Sequence, residues 1–241
     1  RARGGTVVLL SNAPNPSSSV SRLLEEKRVR RDCWDALVTS GDITRRHVAE
    51  MGYEAVHHIG PDRDLALFRE MRAKRVALDD ADAIVATGLV DDLAETGESY
   101  RGMLAGARER GMPLVCANPD LVVEVGGRLY PCAGAIAAVY ADMGGDVFWA
   151  GKPHASAYGM AYETAQRIRG GDVDKSRILG IGDAVRTDLK GAHDFGIASL
   201  FIAGGIHRDE LFRDGQIDRA ELASILAAPA PQPVAVMREL A

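Results

Sequence analysis

Short apolar runs alternate with stretches whose apolar residues fall three and four positions apart, and this alternation continues along almost the whole chain. The run TVVLLSNAP (6–14) opens as a strand of the kind buried on both faces in a parallel sheet. A helix is predicted over 17–32, with serine at its cap and Val20, Leu23 and Leu24 on one side. A short strand follows at 34–40, and GDITRRHVAEMG (41–52) reads as a helix capped by Asp or Thr and closed by Gly52. YEAVHHI, DAIVATG and PLVCANPD read as strands, separated by helices in DLALFREM and ESYRGMLAGARERG. VVEVGGRLYP (122–131) is a hairpin turning on two glycines. Beyond it the pattern predicts a helix over 132–145, a strand in DVFWAG and a helix over HASAYGMAYETAQRIRG. A strand at 176–182, a helix over 188–195, a strand at 197–205 and a low-order Pro/Ala stretch, APAPQPVAVM, complete the chain.

Strands joined through helices imply right-handed βαβ units. The expected fold class is α/β: a three-layer, Rossmann-like parallel-sheet core with an inserted α/β cap domain. The hairpin and the strands of mixed polarity lie in the middle third. That places the insert at 41–145 and the core at 1–40 and 146–241.

Composition narrows the class. At 46% hydrophobic the chain is not disordered, and no apolar run approaches the ~18 residues of a membrane span. The 29 Lys+Arg against 34 Asp+Glu leave a net charge of −5 and no dominant basic face, which argues against a nucleic-acid partner. Cys33, Cys116 and Cys132 form neither a disulfide framework nor a zinc-spaced pair, which suits a reducing cytoplasm. Lys27–Arg31 reads as a solvated helix face. Self-association is compatible with all of this. The opening RARGG carries no signal or transit pattern and resembles a helix end stopped by Gly4 and Gly5, so a preceding segment is expected.

In an open parallel sheet, ligands sit at the carboxyl ends of strands. Three polar loops occupy that position. In the first, Ser11 supplies a hydroxyl and Asn12 an amide as the first strand ends, though turn chemistry alone would also place them there. In the second, WAGKPHAS (149–156), Lys152 precedes a proline at a helix start and can aim its ammonium at an anion; His154 reads as a helix-start residue. In the third, ILGIGDAVRTDLKGA (178–192), Asp183 ends an apolar strand and Asp188 lies in the turn that follows. Two carboxylates at one strand end repel unless a cation neutralises them, and a hard divalent ion such as Mg²⁺ suits oxygen ligands. Asp188 can instead cap the next helix. Hydroxyl, lysine and acidic pair together read as a site for a phosphoryl group.

These motifs, in this order, resemble the haloacid dehalogenase (HAD) superfamily in its NagD-like class IIA branch, which carries an α/β cap. Ser11 in LLSNAP looks like motif II, Lys152 in GKP like motif III, and GDAVRTD (182–188) like motif IV; ANPD (117–120) and GRLYPCAGAIAA (127–138) look like that branch's cap. The resemblance covers nearly the whole chain. It implies a Mg²⁺-dependent phosphatase acting on a small phosphorylated metabolite through an aspartyl-phosphate. Ser11, Asn12 and Lys152 would hold the phosphoryl oxygens, Asp183 and Asp188 the metal, and Asn118 and Asp120 of the cap would face the substrate. Sugar phosphates, nucleotides and glycerol phosphate are all in range.

The family's motif I, which supplies the nucleophilic aspartate, has no counterpart before Ser11; Asp80-Ala-Asp82 lies ahead of a cap strand and is rejected. The chain is therefore expected to be an N-terminally truncated form, inactive and poorly soluble alone, because losing a central strand leaves backbone and apolar groups unpaired. The alternative is a non-catalytic phospho-ligand-binding or regulatory HAD-like protein. A nicotinamide dehydrogenase is disfavoured, since GIGDAV and GGIHRDE lack the dinucleotide spacing. The pair His57-His58 has no metal-ligand partner in sequence and reads as structural.

Overall fold

The apolar run after Thr6 forms β1 (Val8–Ser11), which pairs in parallel with β2 (Ala36–Thr39) across α1 (Ser17–Glu26). The structure, a computed structural model, describes residues 4–227 and 231–240. The expected helix end at Arg1–Arg3 and the first residues of the Pro/Ala stretch (228–230) lie outside them. α1 stops short of residue 32, and Arg28 takes a φ of 60° just beyond it. α2 (Ser40–Glu50) starts on a reciprocal cap: Thr39 Oγ1 accepts the Asp42 N–H at 3.1 Å, and the Asp42 carboxylate accepts the Thr39 N–H at 3.2 Å.

Five parallel strands follow. β3 (Ala55–Ile59), β4 (Lys74–Arg75), β5 (Ala83–Ala86) and, after α3 (Arg101–Glu109), β6 (Leu114–Cys116) precede the hairpin of β7 (Val122–Val125) and β8 (Arg128–Pro131). Then α4 (Ala133–Asp142) leads to β9 (Val147–Trp149), giving the sheet order β4-β3-β5-β6-β9. Alternate residues explain why these runs are wholly apolar. Ile84, Ala86, Leu114 and Cys116 pack with Leu104 of α3 and Ile136 and Tyr140 of α4. Val85, Val115 and Val56 pack on the opposite face with Val48 of α2, Leu67 and Phe68.

Two sequence expectations are revised here. DLALFREM is not an α-helix; a 3₁₀ turn spans Asp62–Phe68, and the Arg45 guanidinium takes the Ala66 and Leu67 carbonyls at 3.0 and 2.7 Å that a helix would have used. β9 was expected on the core side of a boundary at 145/146. Its pairing of Leu114 with Val147 and Cys116 with Trp149 puts it in the five-stranded sheet.

Residues up to Gly151 form one compact unit and residues from Lys152 a second. The second begins with α5 (Ala155–Arg169), ended by Gly170 in the left-handed region, then β10 (Leu179–Gly182), a π-helical turn (Val185–Leu189) and α6 (Lys190–Phe195). β11 (Ala198–Ile202), α7 (Arg208–Leu211), the small antiparallel pair β12 (Phe212–Arg213) and β13 (Gln216–Ile217), α8 (Arg219–Ile225) and β14 (Ala235–Met237) follow. β10-β11-β14 is a parallel sheet packed on Leu189, Phe201, Ala203 and Leu211. The low-order tail expected at 228–237 thus contains a strand, because Ala235–Met237 finds partners on β11. β10 lies at the edge of its sheet, with Leu179 46% and Ile181 51% exposed. No helix among the described residues is long and apolar enough to cross a membrane.

Candidate active site

In the first unit, the end of β1 meets the loops at the carboxyl ends of the parallel strands. Ser11 Oγ accepts the Ala13 N–H at 3.2 Å, which turns the chain and leaves the hydroxyl able to donate. Asn12 is buried, and its Nδ2 donates to Asp120 Oδ1 at 2.9 Å, so one residue expected to bind phosphate and one expected in the cap are joined directly. Asn118 Oδ1 accepts the Asp120 N–H at 3.2 Å, a side-chain turn after β6. Gly151 lets the chain pass closely: a Cβ there would stand 2.4 Å from Ser40 Oγ and 2.7 Å from Asn12 Oδ1.

A neighbouring network uses His58, read from sequence as structural, together with Asn15, Asp64 and Thr87, which no sequence motif marked. Asn15 Nδ2 donates to Asp64 Oδ1 at 3.0 Å, and His58 Nε2 lies 2.9 Å from Thr87 Oγ1. Burial pushes the Asp64 carboxyl up. Burial, then Arg75 and His57, pull the His58 imidazole down to about 4 from 6.5. Between those two values the unfolded chain binds a proton at His58 that the folded chain does not, so stability present above pH 6.5 falls as pH drops through the window. With solvent screening of the half-buried ring, the loss is about 1–2 kcal/mol. His58→Gln is expected to flatten the fall in urea midpoint between about pH 7 and about pH 4.5. An undiminished fall in the variant would show that His58 does not carry it.

The second unit holds the other candidates. Lys152 Nζ donates to Asp188 Oδ1 at 2.7 Å, with the two side chains only 19% and 13% exposed. Asp188 Oδ2 accepts the backbone N–H groups of Asp183 and Ala184, each at 3.1 Å. Both oxygens of Asp188 are therefore engaged in placing the lysine and closing the loop after β10. Asp183 Oδ2 accepts the Ile206 N–H at 2.9 Å. The charge repulsion expected between the two acids is thus met by Lys152 and by backbone N–H groups.

For a divalent ion, the two carboxylates differ. Among the described residues no group of three or more His, Cys, Asp or Glu could hold a metal. Mg²⁺ keeps most of its waters and takes one or two protein carboxylates, and Asp183, which among the described residues accepts a single N–H and meets no cation, fits that donor requirement. Asp188, occupied by an ammonium and two amides, fits the placing of Lys152 better.

A HAD-hydrolase-like family model matches residues 149–236. Comparison with curated proteins gives no match. Among solved structures, a hydrolase of the haloacid dehalogenase-like family from Brucella suis 1330 is 43% identical with a TM-score of 0.84, over 100% of this chain and 85% of that one. The chain belongs to the haloacid dehalogenase-like hydrolase family. A 4-nitrophenylphosphatase from Thermotoga maritima shares the fold at 24% identity and a TM-score of 0.68, over 97% of this chain and 80% of that one. So does a glycerol phosphate phosphatase from Mycobacterium tuberculosis, in complex with calcium, at 23% identity and a TM-score of 0.63, over 95% of this chain and 63% of that one.

In this haloacid dehalogenase-like hydrolase, sequence reasoning passed over the residues that support the acids. Tyr158 of α5 donates its hydroxyl to the Asp188 carbonyl at 2.9 Å and reaches the Thr187 carbonyl at 3.2 Å. Its ring lies on Gly191, where a Cβ would be 2.2 Å away. Gly182 does the same for Asp188, whose Cβ and Cγ stand 2.3 Å from the position of an added Cβ. The glycines were visible in sequence as strand and helix residues, but nothing local marks which side chain each one must accommodate.

Proposed function

We propose that the protein is a phosphatase of small organic phosphomonoesters, of the NagD-like class IIA branch, dependent on Mg²⁺ and acting in the cytoplasm. The observation that carries the reading is Lys152 seated 2.7 Å from Asp188, which also binds the N–H groups of Asp183 and Ala184, so that one carboxylate places both an ammonium and the loop of a second acid. The family membership and the phosphatases that share the fold support it.

In this reading Lys152 and the Ser11 hydroxyl hold phosphoryl oxygens, and Asn12, through Asp120, fixes the loop that carries Ser11. Asn118 acts through the turn it makes with Asp120. Asp183 would hold Mg²⁺, which when bound would offset the negative charge of the phosphoryl group. The five-stranded sheet corresponds to the cap. An aspartate outside residues 1–241 attacks phosphorus, the alcohol departs and an aspartyl-phosphate forms; water then attacks phosphorus, releasing inorganic phosphate and restoring the carboxylate. Asp82 is unsuited to that role, because its Oδ2 accepts the N–H groups of Glu54 and Ala55 at 2.8 and 2.9 Å. β10 lies at the edge of its three-stranded sheet among the described residues, which leaves one backbone side to which a further parallel strand could pair.

With p-nitrophenyl phosphate, the full-length enzyme is expected to turn over only with Mg²⁺, and Asp183→Asn to lose roughly 10²-fold or more. Undiminished activity in that variant removes the metal assignment. Residues 1–241 alone are expected to show background hydrolysis; Mg²⁺-dependent turnover at ordinary rates would overturn the placing of the nucleophile. Phosphate binding by a full-length protein without any turnover would favour the regulatory alternative.

A further inference from the structure

The loop after β11 is held from two sides. Ala203 and Gly204 donate their N–H groups to the Met237 and Arg238 carbonyls at 2.8 and 2.9 Å, which ties the loop to the C-terminal strand. The next residue faces Asp183. A Cβ added to Gly205 would stand 2.0 Å from Asp183 Oδ2, 2.2 Å from its Cβ and 2.4 Å from its Cγ. The following N–H, of Ile206, is the one that donates to Asp183 Oδ2. Gly205 does not lie in the left-handed region, so its backbone suits alanine, and the nearest obstacle to a side chain there is Asp183 itself.

We propose that Gly205 is a positioning residue: by lacking a side chain it lets the Asp183 carboxylate lie against the loop and take the Ile206 N–H. Any side chain at 205 displaces Asp183 although Asp183 is unchanged. The consequence for metal binding rests on the reading of Asp183 given above; the contact between the two residues does not.

The test is a double-mutant cycle in the full-length protein, read by metal-free thermal unfolding and by calorimetric titration with Mg²⁺ alone. Gly205→Ala is expected to lower the unfolding temperature by several degrees and to weaken Mg²⁺ binding at least tenfold. Gly171→Ala, at a glycine with nothing near its Cβ position, is expected to leave the affinity unchanged. In the Asp183→Gly background, where the whole obstructing side chain is gone, Gly205→Ala is expected to cost almost nothing. Additive losses in the cycle, or parental Mg²⁺ affinity in Gly205→Ala, would overturn the proposal. A parent protein that binds no Mg²⁺ refutes the proposed function, and the stability cycle then decides alone whether the two residues are coupled. Should Gly205→Ala fail to fold, folding of the Asp183→Gly/Gly205→Ala pair supports the coupling, and its failure overturns it.

Discussion

On the function proposed above, Lys152→Met is expected to lower turnover of the full-length enzyme by about 10³-fold, the scale of losing a preorganised donor to a developing charge. The side chain is largely buried beside Asp188, so methionine fills much of its space while removing the only charge that meets Asp188 Oδ1 in the described geometry. Asp188 keeps its two amide partners through Oδ2, which limits the stability cost of the unpaired acid to about 1–3 kcal/mol rather than the larger penalty of a fully buried orphan. Arginine restores the charge but replaces a compact ammonium with a planar fork, and recovers little activity. Because the pair acts as one unit, Lys152→Met with Asp188→Asn costs much less than the two single losses combined. Steady-state kinetics and urea melts on the parent and the four variants measure all of this. Turnover of Lys152→Met within threefold of the parent would show that Lys152 does not touch the reacting group.

Phe201→Ala costs about 3–5 kcal/mol, the range for emptying a fully buried aromatic site. Phe201 is 0% exposed on the middle strand of the β10-β11-β14 sheet, packed with Leu189, Ala203 and Leu211. A loss of that size is a large share of the ~5–15 kcal/mol that holds a typical domain together. Leu189 directly follows Asp188, so the cavity also loosens the turn that places the lysine, and catalysis falls with stability. Ile206, 68% exposed, gives the contrast: Ile206→Ala retains its N–H and changes stability by less than about 0.5 kcal/mol. Urea unfolding of Phe201→Ala within about 1 kcal/mol of the parent would mean the ring is not packed as described.

Much of the fold was legible because its signals are local. Val85 and Val115 face one side of the five-stranded sheet while Ile84 and Leu114 face the other, so these strands announce themselves as unbroken apolar runs. The hairpin was legible from Gly126 and Gly127, both at positive φ. The helix over 154–170 was legible from its periodicity and from the Gly170 stop. Where the local signal was weak, the partner decided. Three-residue β14 has no periodicity of its own and exists through its ladder with β11. DLALFREM has a helical pattern that Arg45, on another element, overrides. The spacing of Asp183 and Asp188 placed both acids at one strand end, yet could not say which would receive the lysine.

Sequence by itself determined the α/β class, the order of most strands and helices up to residue 202, and the loops that carry Ser11, Lys152, Asp183 and Asp188, since turn chemistry and hydrophobic period act over a few residues. Only the tertiary structure decided that β9 joins the five-stranded sheet, that Asp188 serves Lys152 across 36 positions of chain, and that Gly205 makes room for Asp183. Hydrogen bonds and close contacts depend on ångström distances between remote segments, and no neighbouring residue in the chain encodes those.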